Sequence, residues 1–204
     1  MTKATIHVVG GGTVVYVRNH LALAAPAYGT TAREIAKICE RRGQPARLTL
    51  TRMANPSSPY ETNEDMARLA AEIAADEKTR IVFWNPAICD FTGQVGDVTP
   101  GRKAQRLKTS AGKIDMHLTP ADKIVGSIRR SRKDIFLVAF KTTTGATEDE
   151  MHQAGMNLLK NASLVLVNDP VTRVNMVFGA DGTKHLVTTV RNDALEKLVE
   201  VALA

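Results

Sequence analysis

Cysteines and aromatic residues are scarce in this chain, and long apolar runs are missing from it. The two cysteines, Cys39 and Cys89, stand far apart and match no metal-ligand spacing, which leaves reduced cytosolic thiols as the default. Aromatic side chains make up 4% of the residues, too few for a base-stacking surface that would hold single-stranded nucleic acid. No stretch approaches the roughly 18 consecutive apolar residues that a membrane span needs. Behind Met1-Thr2-Lys3-Ala4-Thr5 no long apolar region follows, so no secretory signal is visible and a cytoplasmic location is expected. The histidines, His7, His20, His117, His152 and His185, are scattered singly, and none pairs at a metal-ligand spacing. No nucleophilic triad, internal repeat or low-complexity tract is legible.

What is present is globular. The chain has 204 residues, of which 44% are hydrophobic and 24% charged, a balance that excludes disordered and fibrous classes. That length buries a sizeable core and fits one domain over residues 1–204. Lysine and arginine number 27 against 21 acidic residues, a formal charge of +6 that suits an anionic partner, large or small. Arg129-Arg130-Ser131-Arg132-Lys133 has the character of a solvated face. The stretch from Arg102 to Lys113 differs. It carries Lys103, Arg106 and Lys108 between Thr99-Pro100-Gly101 and Ser110-Ala111-Gly112, so it reads as a flexible cationic loop suited to closing over phosphates.

Along the chain, strand and helix signals alternate. Ile6-His7-Val8-Val9 is a strand that runs into Gly10-Gly11-Gly12-Thr13, read as a glycine-rich turn. Thr31 and Glu34 have capping-box spacing ahead of Ile35, Ile38 and Cys39, and Gly43 can stop that helix. Arg47 to Leu50 is a strand, Asn55 to Pro59 a loop, and Met66, Leu69, Ala70 and Ile73 mark an amphipathic helix. Arg80 to Trp84 and Ile135 to Phe140 are strands, the second of buried type. Thr147 and Glu150 form another capping box, ahead of Met151, Leu158 and Leu159. Leu164 to Val167 is a strand, a hairpin turns about Asp181-Gly182, and Asn192 caps a last helix. This order predicts an α/β fold: a Rossmann-like, mainly parallel sheet with helices on both faces and a late β-hairpin extension.

In such sheets ligands bind beyond the carboxyl ends of the strands. The candidates there are Gly10 to Thr13, Cys89-Asp90, Phe140 to Thr144, and Asn168-Asp169. Glycines allow close backbone approach to a nucleotide, although Gly10-Gly11-Gly12-Thr13 lacks the P-loop lysine. Asp90 is placed to hold a ribose hydroxyl or a metal, or to be a solvated loop carboxylate. Asn168-Asp169 also suits an ordinary turn.

The order of these pieces resembles the phosphopantothenoylcysteine synthetase family, the ligase domain of coenzyme A biosynthesis. The resembling segments are Gly11-Gly12-Thr13, Val17-Arg18, Gly29 through Arg41-Arg42-Gly43, and Ala87-Ile88-Cys89-Asp90-Phe91. Arg106-Leu107-Lys108 resembles the family's Lys-x-Lys-Lys flap, and Leu118-Thr119-Pro120 to Ile124-Val125 the element after it. Phe140 to Thr144, Val167-Asn168-Asp169 and Phe178 to Asp181 complete the likeness. The resemblance implies that a phosphopantothenate carboxylate is joined to cysteine through an acyl-nucleotide, with CTP or ATP and Mg²⁺. It implies that Gly11, Gly12, Thr13, Asp90, Phe140, Asn168 and Asp169 bind the nucleotide. Lys108 would be catalytic in the flap, with Lys103 and Arg106 on phosphate. It further implies a homodimer, through the late hairpin or Leu21 to Ala27, and a separate flavoprotein decarboxylase as a partner.

The departures concern the acyl substrate. The family's Asn-His-Ser-Ser-Gly-Lys-Met-Gly-like segment is replaced. Counting back from Gly29, its asparagine position falls on Ala22, and Ala24-Ala25-Pro26-Ala27 stands for Ser-Ser-Gly-Lys. Thr143 replaces the glutamate of the family's Glu-Thr strand end. Asn19 is the candidate to supply the missing amide by a shifted backbone. A non-ligating nucleotide-binding or regulatory homologue is the competing expectation.

Overall fold

Apolar runs with period two become the central strands. The computed structural model describes residues 4–204; Met1, Thr2 and Lys3, at the start of the segment read above for a leader, lie outside them. Strand β1 (Thr5–Arg18) is followed by β2 (Leu21–Ala25), helix α1 (Thr30–Arg41), β3 (Arg47–Leu50), α2 (Asn63–Ala75) and β4 (Thr79–Ala87). A small ribbon of β5 (Phe91–Gln94) and β6 (His117–Pro120) comes next, then α3 (Val125–Ser131) and β7 (Phe136–Thr142). Helix α4 (Glu148–Leu159), β8 (Leu164–Asn168), the hairpin of β9 (Asn175–Gly179) and β10 (Lys184–Thr188), and α5 (Arg191–Leu203) complete the chain.

The sheet order is β10-β9-β8-β7-β4-β1-β2, with β3 beside the first half of β1. Strands β3, β1, β4, β7 and β8 run parallel, β2 at one edge and β9 near the other run against them, and β10, antiparallel to β9, closes that edge in the direction of β8. The mainly parallel sheet and its late hairpin are as expected. The pleat sorts side chains onto two cores. Phe83, Val138 and Leu166 face α1 and α5, against Ile35, Ile38, Leu195 and Leu198. Their neighbours Val82, Trp84 and Leu137 face α2 and α3, against Met66, Ile73 and Ile128. Val165 and Val167 face α4, against Met151 and Leu159. Each fully buried side chain of this kind contributes about 1.5–3 kcal/mol over leaving it exposed. The capping box at Thr147 forms: its hydroxyl accepts from the Glu150 N–H at 3.3 Å and Glu150 returns to the Thr147 N–H at 2.8 Å.

Three local expectations are corrected. Gly10 to Thr13 is no turn; it lies inside the fourteen residues of β1. The glycines are there because other parts of the chain press on the strand. A Cβ on Gly10 would sit 2.4 Å from Ala32 Cβ, and one on Gly12 only 2.1 Å from the Ala25 carbonyl oxygen. The Thr31 capping box does not form. Helix α1 is entered through Gly29 in the left-handed region at φ 74°, and Glu34 instead pairs with Lys37 and Arg41. Helix α5 begins at Arg191 after Val190, without a side-chain cap, so Asn192 lies within its first turn.

Candidate functional site

The carboxyl ends of β4 and β7 open into a cavity of about 180 Å³. Its wall is apolar: Trp84 and Pro86 from β4, Ile88 beyond it, Ala139 and Phe140 from β7, Val125 from α3 and Leu158 from α4. Its charged groups are Asp90, Asp122 and Lys123. Asp90 and Phe140, expected on different strands, therefore share one site. An apolar wall with a few convergent polar groups is what a ring-bearing ligand needs.

Asp90 is held in place by residues beneath it. The Thr13 hydroxyl donates to Asn63 Oδ1 at 2.7 Å, and the Cys89 N–H donates to Thr13 Oγ1 at 3.0 Å and to Asn63 Oδ1 at 3.2 Å. Asn63 Nδ2 completes the set by donating to the Cys89 carbonyl at 2.8 Å. Thr13 is fully buried, so its contact with the site runs through the backbone next to Asp90. Gly11 and Gly12 are buried too, and the Gly12 N–H is already used by the Ala27 carbonyl at 2.7 Å. These glycines serve close packing of β1 under the segments around Ala27 and Thr51.

Asp169 is 1% exposed and fully engaged. One carboxylate oxygen accepts from the Thr143 hydroxyl at 2.9 Å and the Ala146 N–H at 3.0 Å; the other accepts from the N–H groups of Val171 and Thr172. Desolvation opposes its charge, but the backbone donors and the Thr143 hydroxyl prevail and hold its pKa well below the ordinary carboxylate range. Asp169 thus fastens the loops after β7 and β8 to each other. Thr143, the residue at the family's glutamate position, is one of its partners. Asn168 sits at the end of β8 opposite Asn175, and its side-chain oxygen accepts from Thr142 at 3.4 Å.

The basic loop joins β5 to β6. Its first limb is fixed to β1 and its neighbours. The Arg18 guanidinium, 2% exposed, donates to the carbonyls of Val17, Val95 and Val98. Arg102 pairs with Glu61 at 3.1 Å and lies over the Tyr16 ring at 5.0 Å. The Asn19 N–H donates to the Ala104 carbonyl at 3.2 Å. Lys103, within that limb, and Arg106 and Lys108 beyond it are exposed, and among the described residues none of them makes an ion pair. Asn19 itself is exposed in the β1–β2 turn, its side-chain oxygen 3.0 Å from His20 Nδ1. Ala22 lies in β2 opposite Tyr16.

Residues 1–202 match the DNA/pantothenate metabolism flavoprotein C-terminal domain family. The chain belongs to that family. It is 26% identical over 196 residues to the coenzyme A biosynthesis bifunctional protein CoaBC of Thermococcus kodakarensis, covering 94% of this chain and 46% of that one. The chain thus spans about half the length of this curated relative. Among solved structures, the DNA/pantothenate metabolism flavoprotein from Streptococcus pneumoniae superposes with a TM-score of 0.77 at 18% identity, over 98% of this chain and 96% of that one. A Cab2 variant in complex with phosphopantothenate-cysteine superposes at 0.64 with 14% identity, over 96% and 83%. These likenesses show a shared fold.

Within this flavoprotein-domain fold, sequence reasoning missed Asn63, Trp84, Lys123 and the Glu61–Arg102 contact. Asn63 follows Thr62, whose hydroxyl caps α2 by accepting from the Asp65 N–H, but its partner Cys89 is 26 residues away in the chain. Trp84 was placed on its strand without a direction; the alternation from buried Phe83 points it to the cavity face.

Proposed function

We propose that the whole chain is one synthetase-like nucleotide-binding domain, a nucleotide-dependent ligase that joins phosphopantothenate to cysteine. The observation that carries this reading is the cavity at the β4–β7 carboxyl edge. It presents Asp90 at an apolar, ring-sized space, and the chain runs from Asp90 through β5 into a loop of unpaired cations. The Thermococcus kodakarensis relative is named for coenzyme A biosynthesis, and the Cab2 complex contains phosphopantothenate-cysteine. In the proposed reaction the substrate carboxylate attacks the α-phosphate of CTP or ATP, pyrophosphate leaves, and the cysteine amine then displaces the nucleoside monophosphate. Trp84 lies against the base with the β7 end at Ala139 and Phe140 beside it, Asp90 accepts from ribose hydroxyls, and Lys108, Lys103 and Arg106 neutralise phosphate charge as their loop covers the acyl-nucleotide.

Among the described residues no cluster of three acidic or other metal-binding side chains exists. Mg²⁺ commonly needs only one or two carboxylates besides the substrate phosphates, and Asp122 at the rim fits that requirement while Asp90 serves the ribose. The ion would supply charge neutralisation to the triphosphate.

Further parts of the proposal are a homodimer, a cytoplasmic location and a separate flavoprotein decarboxylase as supplier or consumer of its ligands. Among the described residues no helix is long and apolar enough to cross a membrane. Leu21 at the β2 edge and Val187 on β10 are exposed apolar residues on the two candidate dimer faces. A monomer mass in light scattering would remove the dimer from the account. A large nucleic-acid partner is not part of the proposal.

The test is incubation of the protein with phosphopantothenate, cysteine, Mg²⁺ and either CTP or ATP, with the product read by mass spectrometry. Nucleotide-dependent product supports ligation. A second reading, a homologue that binds nucleotide without ligating, is favoured by Ala22 and by the solvent-facing Asn19. Nucleotide binding with no product under either triphosphate would establish it instead.

A further inference from the structure

Lys123 stands at the mouth of the cavity without a role in the reaction above. We infer that it is a phosphate-dependent gate: its ion pair with Asp90 disfavours ligands that bring only a base and a ribose, and yields to ligands that also bring phosphate. The inference rests on the nucleotide reading of the cavity.

The geometry that supports it is built into the backbone. Asp90 and Lys123 are 33 residues apart, and the Ala121 N–H donates to the Asp90 carbonyl at 2.8 Å. That bond sets the segment carrying Lys123 against the Asp90 loop. The ammonium then lies 2.5 Å from Asp90 Oδ1. The same carboxylate is the group the ribose needs as an acceptor, so a ribose whose two hydroxyls take both carboxylate oxygens competes with Lys123 for Oδ1.

Size and charge say which part of the ligand enters. The cavity, at about 180 Å³, is smaller than the ~300–1,000 Å³ of sites that enclose a drug-sized molecule. It accommodates a ring system and leaves a triphosphate outside. The rim carries the carboxylates of Asp90 and Asp122 against the single ammonium of Lys123, which also keeps phosphate out of the cavity itself. When ribose hydroxyls take Asp90, the flexible lysine stem is free to follow the phosphate as it leaves the rim. Both side chains of the pair are mostly exposed, at 75% and 66%. An exposed pair of this kind changes an equilibrium constant by up to about fivefold.

The experiment titrates wild type and Lys123→Met with cytidine, CTP, adenosine and ATP by calorimetry. Trp84, the one tryptophan of the chain, lies in the cavity wall and reports occupancy by fluorescence. Lys123→Met is expected to bind the nucleosides about two- to fivefold more tightly and the triphosphates more weakly by a similar factor. The preference for phosphorylated ligand then falls roughly tenfold, and Lys123→Arg retains it. An unchanged preference, or nucleoside and triphosphate affinities that move together, overturns the gate and leaves the nucleotide site standing. If no nucleoside or nucleotide binds wild type or perturbs Trp84, the nucleotide reading fails and the gate with it.

Discussion

Thr13 and Asn63 hold the Asp90 loop through Cys89, and deleting the hydroxyl leaves Asn63 Oδ1 and the Cys89 N–H with only their mutual 3.2 Å bond in a buried place where each had two partners. Thr13→Val is therefore expected to destabilise by about 1–3 kcal/mol in urea unfolding, and Thr13→Ser by much less. Equal stability of Thr13→Val and wild type would remove this role. His7 gives a pH signature of its own. It is buried on β1, with Nε2 3.3 Å from the Thr79 hydroxyl and 4.0 Å from Asp76. Desolvation and then Arg47 lower its pKa below the ordinary imidazole value, with Asp76 opposing. The folded state thus binds a proton less readily than the unfolded chain. Its contribution is present above the unfolded value of about 6.5 and is lost as pH falls through the folded one. The urea midpoint should fall on acidification below about pH 6.5, and His7→Asn should flatten that part of the profile. A wild-type midpoint that does not fall there would contradict the burial argument.

At the scale of elements, β1 gathers the most constraints. Its first half is flanked by β3 and β4, its second half pairs with β2, and Gly10 and Gly12 let other chain segments lie against it. Gly12→Ala places a Cβ 2.1 Å from the Ala25 oxygen and 2.6 Å from the Ala27 nitrogen, both backbone atoms that cannot swing aside. The expected result is a loss of at least about 1–3 kcal/mol in stability, read by thermal or urea unfolding. A variant with wild-type stability but weakened nucleotide affinity would return these glycines to the ligand. The central strands and helices α1, α2, α4 and α5 were legible because their apolar residues repeat at the period of the element; the seven-residue α3, with Arg129 and Arg130 in its last turn and read only as a solvated face, was not. Strand β2 was not: Leu21 to Ala25 alternates leucine with alanine, and its residues are exposed or half-buried at a sheet edge. The β5–β6 ribbon was hidden for a related reason, since β6 is fully exposed and has no apolar face to bury. The Thr31 box was misread because spacing cannot show that Gly29 takes a left-handed entry under Leu50 and Ala54.

For the whole molecule, the sheet brings groups from distant segments to one edge and divides their labour. Asp90 and Phe140 line a cavity, Asn168 and Asp169 secure the adjacent loops, and the cationic loop is pinned on one limb by Arg18, Arg102 and Asn19. Sequence position alone identified the edge and two of the cavity residues. It could not separate residues that line the cavity from residues that support it, because burial and hydrogen-bond saturation arise only when segments tens of residues apart meet. The +6 charge also takes a place in this picture, since among the described residues Lys103, Arg106 and Lys108 stand exposed without ion pairs on the loop between β5 and β6, the loop that the proposed reaction assigns to phosphate. The measurement that tests the account most directly is the stoichiometry of turnover with phosphopantothenate, cysteine, Mg²⁺ and the better of CTP and ATP. The account predicts one pyrophosphate and one nucleoside monophosphate released for each phosphopantothenoylcysteine formed, with no product when any component is omitted; nucleotide binding without product, or release of nucleoside diphosphate in place of pyrophosphate, would contradict it.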